Sequence, residues 1–144
     1  MAQHIHPFSY EGSPFPQEDW GYLHHCFDGV YGEGKSQNGY VCLTTGPTGD
    51  GESGSSDPHI SITLPVRCYV ETIKVWNRHE CCRDRYSNHI WTVDGVTCIN
   101  SADSSDDFAI VEECGLSGTI VRLTLPGPDR WIQLQEIELW GWAI

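Results

Sequence analysis

The sequence predicts an all-β sandwich or barrel, and three observations carry that reading. Short apolar runs alternate with polar residues after Pro58, turn signals such as Asp94-Gly95 and Pro126-Gly127-Pro128 separate them, and no stretch holds a convincing helical period. The chain has 144 residues, enough for one ordinary domain to bury a core unaided.

Taken in order, residues 1–20 carry aromatics, Pro and His without regular period. Pro7, Pro14 and Pro16 argue against a helix or a central strand there. A terminal arm stays ordered only when it packs on something. Phe8, Tyr10, Phe15 and Trp20 are apolar anchors for that, on the arm's own domain or on a neighbouring copy. Residues 28–57 are rich in glycine and read as loop, with residues 46–57 an exposed insertion. Strands are then expected at Ile60 to Leu64, Tyr69 to Trp76, His89 to Val93, Phe108 to Val111, Thr119 to Leu125 and Trp131 to Trp140. The expected organisation is an amino-terminal arm over residues 1–23 and a β-sandwich over residues 24–144.

The formal net charge is −12, with only 8 Lys and Arg. Phosphate backbones and anionic membranes need a basic footprint, so nucleic acid is excluded as a partner. No apolar stretch approaches the ~18 residues of a membrane span. An acidic chain suits hard cations, which take carboxylate and carbonyl oxygens. The seven cysteines do not follow zinc-module spacing. Disulfides are the better reading and imply an oxidising, extracellular compartment. Met1-Ala2-Gln3-His4 does not read as a signal peptide, so a secreted chain is expected to have lost its leader, the alternative being a native Met1. An odd count leaves one thiol over.

The stretch Val75-Trp76-Asn77-Arg78-His79-Glu80-Cys81-Cys82-Arg83-Asp84-Arg85 resembles the signature of the F-type lectins, or fucolectins. In that signature a strand ends in Asn-Arg. An acidic residue, two adjacent cysteines and a second basic residue follow, at the positions that Glu80, Cys81, Cys82 and Arg85 occupy. The resemblance implies a discoidin-like jelly-roll β-sandwich of the galactose-binding-domain type. It also implies a Cys98–Cys114 disulfide, a calcium loop opened at Asp28-Gly29, and a last strand, Leu134-Gln135-Glu136-Ile137-Glu138-Leu139, that carries a calcium-binding Glu136. Two departures stand out. The family has a sugar-binding His in a Cys-x-His-Thr context, where this chain reads Cys42-Leu43-Thr44-Thr45. Gln135 stands where the family commonly places a partner for Cys42, which therefore needs another mate or none.

A sugar presents hydroxyls in fixed directions and a patch of C–H surface, so its recognition needs rigid donors and an apolar face. Arg78 and Arg85 supply planar forks of donors. Glu80 is placed to hold a guanidinium by a charge-assisted bond. A Cys81–Cys82 disulfide would be a stiff sulfur platform, the alternatives being separate pairings or free thiols. Thr44 occupies the site of the missing His. From charge alone the same cluster is a solvated ion-pair set.

For the cation, Asp28 and Glu136 offer carboxylates, with backbone carbonyls of His25, Val30 and Val41 completing a Ca²⁺ shell of structural role. His4 with His6, and His24 with His25, read more simply as packing histidines than as chelating pairs. The acidic set Asp103, Asp106, Asp107, Glu112 and Glu113 reads as a solvated loop and strand edge. No nucleophile motif frames any Ser, His or Asp, so no catalysis is expected.

The sequence thus points to a carbohydrate-binding lectin domain for fucose or a related sugar, calcium-stabilised and secreted. The alternative is a structural or adhesive module of the same fold whose sugar site is lost. Glycans are the expected partners, with self-association through residues 1–20. Cys26 and Cys42 flank one loop and form a candidate pair, which leaves Cys68 over, at or near the assembly contact.

Overall fold

The computed structural model describes residues 1–13, 22–31, 41–44, 54–78, 82–102 and 108–144. Eight strands account for most of them: β1 (Gln3–Ile5), β2 (Ser9–Ser13), β3 (Cys42–Leu43), β4 (His59–Asn77), β5 (His89–Val93), β6 (Val96–Ser101), β7 (Ala109–Thr124) and β8 (Gln133–Ala143). All pairings are antiparallel, in the order β1-β8-β4-β7-β5-β6, with β2 also on β4 and β3 also on β8. The architecture is a jelly-roll β-sandwich, as the sequence led us to expect. Among the described residues no helix is long and apolar enough to cross a membrane.

The sandwich arises because β4 and β7 each serve both layers. Residues 59–63 of β4 pair with β2 and β7, whereas residues 68–77 pair with β7 and β8. Between Thr63 and Cys68 the register to β7 shifts, and there the strand turns the corner. The sequence suggested two separate strands here, at Ile60 to Leu64 and at Tyr69 to Trp76, with Pro65 between them. Proline removes one donor but does not forbid extended backbone, so the ladder is interrupted and the strand is not. In the same way β7 joins the two runs expected at Phe108 to Val111 and Thr119 to Leu125, passing through Gly115 at a left-handed φ of 78°.

Both halves turn their apolar residues into one core. Ile60, Ile62, Trp91, Val93, Val121 and Leu123 meet Ile73, Val75, Ile137 and Leu139, all at most 2% exposed. Full burial of each such side chain contributes roughly 1.5–3 kcal/mol. The indole N–H of Trp91 donates to the hydroxyl of buried Tyr86 at 2.8 Å, so both aromatic polar tips are satisfied inside.

The arm is part of the sheet. β1 lies along β8, matching His4 with Trp140 and Ile5 with Leu139, and β2 lies along β4, matching Tyr10 with Ile62. Strands flanking Pro7 are edge strands, where a missing donor is tolerated. Over residues 1–13, therefore, the arm packs on its own domain. Phe15 and Trp20 lie outside the described residues. Cys68 is a free thiol but only 3% exposed, so it is buried in the sandwich and not at a contact surface.

Candidate functional site

At one end of the sandwich the chain leaves β4 through a loop that Asn77 organises. Asn77 is fully buried at the strand's last position. Its carboxamide oxygen accepts the N–H of Arg78 at 2.9 Å, its amide nitrogen donates to the carbonyl of Arg83 at 2.9 Å, and its own N–H donates to the carbonyl of Phe108. The Nε of Arg83 donates to the carbonyl of Arg78 at 3.2 Å. These hydrogen bonds tie Arg78 and Arg83 to the end of β4.

Cys82 sits at a φ of 65°, in the left-handed region that a residue with a Cβ rarely adopts, and it is disulfide-bonded. A 3-10 helical turn follows over Arg83–Tyr86. Glu80 and Cys81, which the sequence assigned to the same cluster, lie outside the described residues.

Arg78 and Arg85 lie within electrostatic range of each other. Burial holds the Arg85 guanidinium below its ordinary range, and the neighbouring Arg78 charge lowers it further, against an opposing effect of Asp84. Arg85 lies 4.5 Å over the ring of Trp131 and donates from Nη1 to Oε1 of Gln133 at 2.8 Å. Arg130 props the loop from beneath, donating from Nη2 to the carbonyls of Arg85 and Ser87 and from Nη1 to that of Pro126. Gln133, Trp131 and Arg130 carry no sequence signal of their own, because they join the site only through the approach of β8 to the loop.

Thr44 is placed differently from its sequence assignment. It is fully buried, and its hydroxyl accepts the N–H of Ile132 at 2.9 Å while its own N–H donates to the Ile132 carbonyl. It clamps the start of β8 and presents no hydroxyl to solvent.

The second site joins the 3-10 helical turn Leu23–Phe27 to β8. Asp28 and Gly29 follow the turn, and the Cys26–Cys42 disulfide ties it to β3. Gly29 has a φ of 75°, which aims its N–H at Oε2 of Glu136, 2.9 Å away. The Asp28 carboxyl adjoins Glu136, accepts the N–H of Val30 at 3.0 Å and lies 3.6 Å from Nδ1 of His25. Burial pushes the Glu136 carboxyl up to about 9. The Gly29 N–H opposes this, while Asp28 and Glu138 reinforce it.

Oε1 of Glu136 is buried with no hydrogen-bond partner. It belongs to a wall of a cavity of about 200 Å³ shared with Asp28, Gly29, His4 and His6. Among the described residues no three His, Cys, Asp or Glu side chains form a metal cluster, so backbone oxygens have to complete a cation's shell. The donor set fits a hard divalent cation, since such an ion satisfies the orphaned oxygen and lets two facing carboxyls stay ionised.

Glu138, unremarked in the sequence, is buried beside this site. It accepts from the hydroxyl of Tyr31 and from the Trp140 indole N–H. That bond, with burial, pushes the Tyr31 hydroxyl up to about 12. His4 stacks on Trp140 at 5.5 Å and meets His6 at 4.2 Å with the rings tilted, and burial lowers its pKa.

Neither a family profile nor a curated sequence matches the chain. Solved structures do. A fucose-binding module of Streptococcus pneumoniae superposes with a TM-score of 0.73 at 19% identity, covering 95% of this chain and 96% of that one. The chain has the F-type lectin, discoidin-like fold. A serum fucolectin of Morone saxatilis (striped bass) gives a TM-score of 0.75 at 16% identity, over 97% of this chain and 48% of that one. The family 32 carbohydrate-binding module of Clostridium perfringens NanJ, solved with galactose, gives 0.72 at 10% identity, over 97% and 99% of the two chains. The F-type resemblance of residues 75–85 and this fold therefore agree.

Proposed function

We propose that the chain is a secreted, calcium-stabilised lectin domain that binds fucose or a related sugar through Arg78 and Arg85. The observation that carries this reading is the ordered Arg85 fork, held by Gln133 and Trp131 within electrostatic range of Arg78, in a fold whose solved neighbours include fucose-binding and galactose-bound modules. The two forks can donate to ring and hydroxyl oxygens, and the disulfide sulfur of Cys82 supplies apolar surface for the C–H face. The Cys26–Cys42 and Cys98–Cys114 disulfides support an oxidising compartment.

Calcium would be held by Asp28 and Glu136, with carbonyls of His25, Val30 and Val41, and would pin the turn to β8. In the lectinolysin lectin domain, a histidine mutant has been solved with Lewis b, so absence of one histidine is compatible with glycan binding in this fold.

The second reading, a structural or adhesive module, is favoured by Thr44, whose hydroxyl is spent on Ile132. A glycan array with and without calcium separates the two. The lectin reading expects binding to fucosylated or galactose-type glycans that Arg85→Ala abolishes while the fold is kept. No binding on the array, with the calcium response intact, would leave the structural reading.

A further inference from the structure

We propose that Gln133 and Trp131 are positioning residues that set the orientation of the Arg85 guanidinium, and with it the donor geometry of the sugar site. The inference rests on the reading of Arg85 as a sugar donor.

An arginine side chain reaches a ligand through several rotatable bonds, so an unsupported guanidinium samples many directions and loses that freedom on binding. Here two contacts remove it in advance. The ring of Trp131, 4.5 Å from the guanidinium carbon, fixes the plane of the fork. Oε1 of Gln133, 2.8 Å from Nη1, fixes its rotation within that plane. The backbone of Arg85 is held by the same segment, since Arg130 donates to its carbonyl at 3.3 Å.

Gln133 itself is immobile, because it is 4% exposed and opens β8 in register with Leu43 of β3. Residues 130–133 therefore form one rigid platform under the donor. A neutral amide is suited to this task. A carboxylate in its place would orient the fork equally well but would also cancel the charge that a sugar oxygen is to feel. Glutamine directs the donor and leaves its charge for the ligand.

The test compares the full chain with Gln133→Leu, which removes the acceptor at similar size, and Trp131→Ala, which removes the plane. Gln133→Glu and Trp131→Phe keep the acceptor and the ring. Three readouts are taken: the melting midpoint, the ¹⁵N relaxation of the Arg85 Nε–Hε group, and titration with L-fucose and with D-galactose. The first pair should melt within a few degrees of wild type, lose the ordered Arg85 signal and bind the preferred sugar at least tenfold more weakly, by analogy with the loss of a preorganised contact. The second pair should keep the ordered signal.

Persistence of that signal in both Gln133→Leu and Trp131→Ala would overturn the proposal. So would loss of the signal with sugar affinity unchanged. A wild-type chain that binds neither sugar would refute the sugar reading, while the Arg85 signal would still decide whether these residues orient it. Should Trp131→Ala not fold, Trp131→Leu takes its place.

Discussion

Replacing Glu136 by Gln isolates the cation from the rest of the fold. The carboxyl is buried, one of its oxygens has no partner, and burial raises it to about 9. In a chelated sample near neutral pH it is therefore protonated. The amide of Glu136→Gln closely mimics that neutral form, so the variant should melt close to the chelated wild type.

With calcium at about one hundred times its dissociation constant, mass action stabilises the wild type by about 2.7 kcal/mol. For a domain of 144 residues that corresponds to a rise of about 9 °C in Tm, taking roughly 2.1 cal/mol/K of unfolding entropy per residue. Glu136→Gln should show little of this rise.

The sign with pH follows from linkage. A carboxyl whose folded pKa is raised from 4.5 to about 9 stabilises the chelated fold fully below the lower value, and that contribution is lost as pH rises through the upper one. The gap between calcium-loaded and chelated Tm should therefore widen from pH 5 to pH 9. Scanning calorimetry in calcium and in EDTA measures both effects. Equal Tm values in the two buffers, or an undiminished calcium shift in Glu136→Gln, would refute the reasoning.

The remaining predictions concern the cysteines. Replacing Cys98 and Cys114 by Ala opens a loop with a sequence separation of 16, which on the chain-entropy estimate costs about 3 kcal/mol, read as a lower denaturation midpoint, with a slope no smaller than wild type because the freed unfolded chain is more expanded. A midpoint equal to wild type would show that the bridge contributes nothing. Cys68 is buried, and burial raises its thiol pKa, so it should resist alkylation in the native chain and react only on unfolding. Rapid native labelling mapped to Cys68 would place that residue on a surface.

The fold class was legible because strands write themselves locally. The alternation of Ile60, Ile62 and Leu64, and the hairpin turn at Asp94-Gly95, need only the period of two and a positive φ. The short β3, and β6 with Ile99 its one buried residue, gave no such signal, because neither buries a regular face. The edge strands β1 and β2 were hidden for a related reason. Their pairing partners lie more than a hundred residues away for β1, as with His4 and Trp140, and fifty for β2, as with Tyr10 and Ile62.

By itself the sequence determined the all-β class, from alternation and turns, and it offered Cys26–Cys42 as a candidate pair. The resemblance to a local signature added the jelly roll, the Cys98–Cys114 bridge and the candidate residues Arg78, Arg85, Asp28 and Glu136. Only the tertiary structure decided that Thr44 is a buried clamp, that Glu138 is buried beside Glu136 and Tyr31, that Cys68 is enclosed, and that Trp131 and Gln133 hold Arg85. Those roles depend on which face of β8 meets which loop. The register that sets this comes from packing the whole core, a sum over many weak contacts that no short window of sequence contains.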